Sequence, residues 1–81
     1  MRYCTYILIS EKNGRRYFGS CEDLQKRLRL HNAGRVKSTK PYLPYRILHV
    51  EYFETRPEAY RREMFYKSPE GYRYLKDNDI L

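Results

Sequence analysis

Residues 3–19, YCTYILISEKNGRRYFG, hold two β-rich runs on either side of Asn13-Gly14, and the pairing of those runs sets the fold. Residues 3 to 10 are rich in Tyr, Ile and Leu, which suit a pleated, half-buried strand. Asn13-Gly14 is a strong hairpin signal, because both residues tolerate the positive φ of a tight primed turn. The return strand is expected over about Arg15 to Gly19. Gly19 then reads as the end of that strand just before a helix start, where a residue without Cβ lets a backbone or a phosphate come close.

Beyond the hairpin, Glu22 to Asn32 carries Leu24 and Leu28 at i and i+4, acidic residues at its start and Gly34 just past its end. That pattern predicts an amphipathic helix. Residues 34–44, GRVKSTKPYLP, are basic, aperiodic and hold two prolines, so they read as a loop bearing charge at Arg35, Lys37 and Lys40. Tyr45 to Phe53 is β-rich again. Thr55-Arg56-Pro57-Glu58 has the spacing of a capping box and opens a helix to about Lys67. Ser68-Pro69-Glu70 restarts a shorter one. No repeat, low-complexity tract or Gly/Ser linker divides residues 1–81, so one domain is expected. The order ββαβα plus a C-terminal helix predicts an α+β fold, a small three-stranded antiparallel sheet flanked by helices.

A chain of 81 residues buries only about 60% of the surface it exposes unfolded, so its core must be compact. Ten Tyr and three Phe, with no Trp, supply the bulk. Seventeen Lys and Arg against ten Asp and Glu give a net charge of +7, which points to a polyanionic partner. No apolar run approaches the roughly 20 residues of a membrane span, and the amino-terminal apolar stretch is too short and polar for a signal peptide. Nucleic acid is the expected partner and the cytoplasm the expected location. A monomer is assumed. Cys4 and Cys21 lack any zinc spacing and read as reduced thiols.

Several residues carry chemistry in this frame. A hairpin brings Tyr6 and Tyr17 close, either as packing rings or as functional phenols. Arg27 and His31, at i and i+4, flank the leucine stripe of the first helix. Arg29 and Lys26, away from that stripe, read as solvated, whereas the planar guanidinium of Arg27 suits a phosphate. His31 reads equally as a helix-end residue or as an acid/base group. Glu63, on a face that should look inward, wants a cation: Lys67 at i+4 or a divalent metal. Tyr60, Tyr66, Tyr72 and Tyr74 are expected to glue the last helix to the sheet, an exposed interaction patch or a base-stacking platform being the alternatives.

Taken together, Tyr6, Tyr17-Phe18-Gly19, Arg27 eight residues after that glycine, His31-Asn32 with Gly34, and Glu63 resemble the GIY-YIG nuclease domain over nearly the whole chain. The chain looks most like small stand-alone bacterial members related to the amino-terminal domain of excinuclease C. The resemblance implies Tyr17 as general base or water-orienting phenol, Tyr6 as its support, Arg27 on the scissile phosphate and Glu63 as metal ligand. His31 falls where related domains carry His or Tyr. It also implies Mg²⁺ or Mn²⁺, and DNA as substrate in repair or recombination, with RNA left open. Two departures stand out: Cys4 replaces the glycine of the first signature, and Ser20 stands where excision-repair relatives have lysine. Gly19, Ser20, Arg35, Lys37 and Lys40 are the expected nucleic-acid contacts. The competing reading keeps the fold and the basic surface but not hydrolysis.

Overall fold

The computed structural model describes residues 2–81. Strands β1 (Tyr3–Ser10), β2 (Arg16–Cys21) and β3 (Tyr45–Phe53) form one antiparallel sheet in the order β2-β1-β3. Helix α1 (Leu24–Asn32) follows β2, a 3-10 turn at Lys40–Tyr42 precedes β3, and α2 (Arg56–Tyr66) and α3 (Pro69–Asp77) close the chain. This is the α+β architecture expected. Central β1 pairs on both sides, and Ile7 and Leu8 are wholly enclosed, each burial contributing roughly 1.5–3 kcal/mol.

The period-2 alternation of β1 sorts two cores onto the two faces of the sheet. Cys4, Tyr6 and Leu8 pack with Leu24, Leu28 and Tyr45 on the α1 face. Ile7 packs with Phe18, Tyr66 and Leu75 under α2 and α3. A bulge in β3 opposite Ile7 and Leu8 breaks the alternation. Ile47 and Val50 consequently face α1, whereas Leu48 and His49 turn towards Tyr66.

Several local expectations are corrected. The hairpin turn is a four-residue loop closed by Ser10 N–H donating to Arg15 O, with only Gly14 at positive φ, +76°. Ser10 Oγ accepts from Lys12 N and Asn13 N, and Asn13 Oδ1 accepts from Arg15 N, so side chains rather than a primed backbone shape it. Strand β2 runs on through Ser20 and Cys21, because Ser20 and Cys21 pair with Thr5 and Cys4. Gly19 therefore lies within a strand and not at a helix start. Helix α1 begins two residues later than expected, since the Asp23 carboxylate caps it by accepting from Lys26 N. Its end is a Schellman motif in which Gly34, at φ +75°, lets Arg35 N–H reach Leu30 O and Gly34 N–H reach His31 O. The Thr55–Glu58 capping box forms as the spacing predicts.

The tyrosine glue is corrected too. Tyr66 is buried, but Tyr60, Tyr72 and Tyr74 are exposed.

Candidate active site

The α1 face of the hairpin gathers four of the chemistry-bearing side chains. Tyr6 pairs with Gly19 in the ladder, so Tyr17, two residues back on β2, is its diagonal neighbour on the same face. The two rings lie 6.3 Å apart at 33°. His31 rises from α1 against both, 4.9 Å from the Tyr17 ring and 6.2 Å from that of Tyr6. The glycine matters here because an added Cβ at Gly19 would sit 2.5 Å from Tyr6 Oη and 2.6 Å from Cζ. The close approach over Gly19 is thus made by a phenol of this chain, and a phosphate has no access to that spot.

His31 is completely enclosed, and its two nitrogens are both used. Thr39 Oγ1 donates to Val36 O at 3.2 Å, so it accepts from His31 Nδ1–H at 2.9 Å. That bonding assigns the Nδ1–H tautomer and leaves Nε2 to accept from Tyr6 O–H at 3.3 Å. Burial, with the nearby Arg27 charge, pushes the His31 pKa below its usual value. A neutral imidazole gains nothing from the helix dipole, and full enclosure keeps it from meeting a solvent nucleophile. His31 holds Tyr6 in place. Burial likewise pushes the Tyr6 phenol well above its ordinary range, against the opposing effect of Arg27, so Tyr6 stays protonated near neutral pH.

Arg27 lies beside these phenols, and the Tyr6 hydroxyl is the main cause holding the guanidinium protonated above its normal range. Its Nε is buried with no hydrogen-bond partner, and no carboxylate pairs with it among the described residues. A buried unsatisfied donor on a cation is costly. An anion meeting the other guanidinium N–H groups would balance the charge. Beside it, Cys4 and Cys21 face each other across the ladder as free thiols, Sγ to Sγ 3.6 Å. Their mutual hydrogen bond lowers the pKa of Cys4 and raises that of Cys21.

Glu63 is not part of this cluster. It reaches from α2 to the opposite face of β2, where Oε1 accepts from Ser20 Oγ at 2.7 Å and Oε2 pairs with Lys67 Nζ at 2.7 Å. The helical ion pair expected at i+4 is therefore present, together with a Ser20 contact that spacing does not reveal. The Glu63 side chain is only 12% exposed. The two halves of the candidate site thus sit on the two faces of a single strand, and that strand is an edge of the sheet.

Among the described residues no cluster of three His, Cys, Asp or Glu side chains could hold a metal ion. A hard divalent cation needs less, since Mg²⁺ is commonly held by one or two carboxylates with water and phosphate oxygens completing the shell. The Glu63 carboxylate and the Ser20 hydroxyl, adjacent hard oxygens, fit that requirement, while Lys67 occupies Oε2. Arg35, Lys37 and Lys40 are exposed on the segment after α1, whose buried Thr39 is pinned by His31. Thr39 is the residue that sequence reasoning missed. Its only clue is that a buried imidazole needs two partners. Asn32 is a second fixing point, donating to Tyr45 O and accepting from Tyr45 N.

Residues 2–74 match the GIY-YIG catalytic domain family. The chain is 41% identical over 63 residues to a UPF0213 protein of Bacillus velezensis, a match covering 76% of this chain and 63% of that protein. It is 36% identical over 80 residues to the structure-specific endonuclease subunit slx1 of Schizosaccharomyces japonicus, covering 91% of this chain but 29% of that one. The chain therefore spans under two thirds of the first relative and under a third of the second. The solution NMR structure of the UPF0213 protein BH0048 from Bacillus halodurans superposes with a TM-score of 0.54 at 30% identity, covering 95% of this chain and 84% of that one. No helix among the described residues is long and apolar enough to cross a membrane.

Proposed function

Because this chain belongs to the family of GIY-YIG catalytic domains, we propose that it is a divalent-metal-dependent endonuclease that hydrolyses phosphodiester bonds in DNA. The observation that carries the reading is Arg27, a part-buried guanidinium against two phenols, with no hydrogen-bond partner for Nε and no ion pair among the described residues. The similarity to a structure-specific endonuclease subunit supports the same reading and makes repair or recombination the proposed setting.

The scissile phosphate would lie at the free edge of β2, reached by Arg27 and Tyr17 from one face and by Glu63 from the other. Arg27 grips two phosphate oxygens and meets the charge that grows on them during attack. Tyr17, less buried than Tyr6, orients or deprotonates the attacking water. Tyr6, fixed by His31 and Thr39, keeps the Tyr17 ring in register. Water adds to phosphorus, the bond to the 3′-oxygen breaks, and that oxygen takes a proton, leaving a 5′-phosphate and a 3′-hydroxyl. Glu63 with Ser20 would hold Mg²⁺ or Mn²⁺, which supplies charge neutralisation at a phosphate oxygen.

One observation favours a second reading, a nucleic-acid-binding module without hydrolysis: both Glu63 oxygens already have partners, Ser20 and Lys67. Incubating the protein with labelled single-stranded, duplex and branched DNA, in Mg²⁺, Mn²⁺ or chelator, separates the two. Metal-dependent cleavage that vanishes in Glu63→Ala and Tyr17→Phe supports the enzyme. Salt-sensitive binding without cleavage in any lane supports the module.

A further inference from the structure

Helix α2 flanks the edge strand β2 along one stripe of its surface. Arg56 Nη2 lies 3.4 Å from Glu22 Oε2, just past the end of β2, and Glu63 Oε1 lies 2.7 Å from Ser20 Oγ within it. Tyr60 is four residues after Arg56 and three before Glu63, so its side chain leaves the helix on that same flank. It is nevertheless 54% exposed. The other exposed tyrosines of the helical layer have covered rings: Tyr72 carries the Lys76 ammonium at 5.6 Å, and Tyr74 packs on Phe65 at 5.7 Å and under Arg62 at 5.0 Å. Tyr60 has no such cover among the described residues. Met64, 38% exposed, extends its surface by one turn, and two exposed cations border it, Arg61, which forms no ion pair among the described residues, and Lys67, which is paired with Glu63.

An uncovered ring beside Arg61, a cation with no ion-pair partner among the described residues, has the two elements that hold single-stranded nucleic acid, a charge for a phosphate and a ring for a base. A protein partner is a poorer match. Tyr60 and Met64 offer far less apolar surface than the roughly 800 Å² per side of a stable protein interface, and the exposed Arg61 beside them suits a phosphate. Bases within a duplex already have both faces stacked. Placing one on Tyr60 requires a base that is unpaired, or one extruded at a cost of a few kcal/mol.

We propose that Tyr60 stacks one unpaired nucleobase beside the Ser20–Glu63 pair, so that the preferred substrate presents a single-stranded segment to the α2 flank of β2. This rests on the endonuclease reading for its setting and deepens it by naming the form of the strand.

The test is binding of a fluorescein-labelled single-stranded oligonucleotide and of the matching duplex, measured by anisotropy in chelator so that no cleavage occurs. Tyr60→Ala is expected to weaken single-strand binding by about 5- to 100-fold, the range for loss of one stacked base. Duplex binding should be unchanged, and Tyr60→Phe should retain affinity because the ring is kept. Tyr52→Ala on β3, removing a tyrosine 51% exposed at the other edge of the sheet, should bind like the parent protein. An oligonucleotide carrying 2-aminopurine should be quenched on binding the parent protein and not on binding Tyr60→Ala. Unchanged single-strand affinity in Tyr60→Ala, or equal loss for single strand and duplex, overturns the proposal. Tyr60-dependent binding without cleavage on adding Mg²⁺ removes the catalytic reading and supports the stacking one. Cleavage together with Tyr60-independent binding does the reverse.

Discussion

Ser20 Oγ donates to Glu63 Oε1 at 2.7 Å, tying the edge strand β2 to α2 across 43 residues of sequence. Ser20→Ala removes a bond to a charged acceptor that is largely enclosed, and is expected to lower unfolding stability by about 1.5 kcal/mol. If Ser20 also shares a metal with Glu63, cleavage by Ser20→Ala should need a higher metal concentration for half-maximal rate. Urea titration reads the first effect and metal titration of the cleavage rate the second. A metal requirement identical to the parent's removes Ser20 from the metal site.

Gly19→Ala drives a methyl into the Tyr6 phenol, whose Oη and Cζ lie 2.5 and 2.6 Å from the added carbon. Overpacking of this kind costs about 1–3 kcal/mol. Tyr6→Phe in the same chain relieves the Oη clash but not the Cζ one, so a double-mutant cycle should show partial, favourable coupling. Strictly additive losses would mean that Tyr6 moves aside freely.

A histidine whose folded pKa lies below its unfolded value of about 6.5 stabilises the native state fully only above that value. His31 is such a group, held neutral by burial and by Arg27. Its contribution is lost as pH falls through the unfolded value towards the lower native one, because only the unfolded chain takes the proton readily. Melting temperature should drop between about pH 7.5 and pH 5.5, and His31→Gln, less stable throughout, should show a flatter profile. Parallel profiles for the two proteins would contradict the assignment.

Arg27 is the phosphate clamp in the proposed site. Arg27→Ala should reduce single-turnover cleavage by about 100- to 1000-fold. Arg27→Lys should recover little, because an ammonium lacks the planar fork that meets two oxygens at once. Folding should survive both changes, since Arg27 forms no ion pair among the described residues. Full activity in Arg27→Lys would reduce its role to charge alone.

Arg35, Lys37 and Lys40 stand exposed on the segment between α1 and β3. If each meets a phosphate, neutralising them one by one should lower the slope of log affinity against log salt by about 0.7–0.9 per residue. The change should be similar for every DNA sequence, since such contacts read no bases. An unaltered slope in the triple Ala variant would place the nucleic-acid path elsewhere.

Signals that act over a few residues were legible in the amino-acid order alone. Richness in Tyr, Ile and Leu along residues 3–10 marked β1, the Thr55–Glu58 spacing marked the start of α2, and Gly34 marked the end of α1. Family membership was legible too, because it rests on residue types at fixed spacing. Packing settled what spacing cannot encode. The Asn13-Gly14 hairpin forms, but Ser10 and Asn13 side chains shape a longer turn than the tight primed one expected, and β2 continues past Gly19 because β1 offers Thr5 and Cys4 as partners. Thr39 found His31, and Ser20 found Glu63, through contacts that only chain closure creates. Exposure followed the same logic: Tyr60 and Tyr66 are the same residue type on one helix, yet only Tyr66 faces the sheet. Alternation along β2 placed Tyr17 and Ser20 on opposite faces, which split the candidate site across an edge strand. Local propensity is a property of neighbours in the chain, whereas burial and partnership are properties of the packed layers, so only the folded molecule sets them.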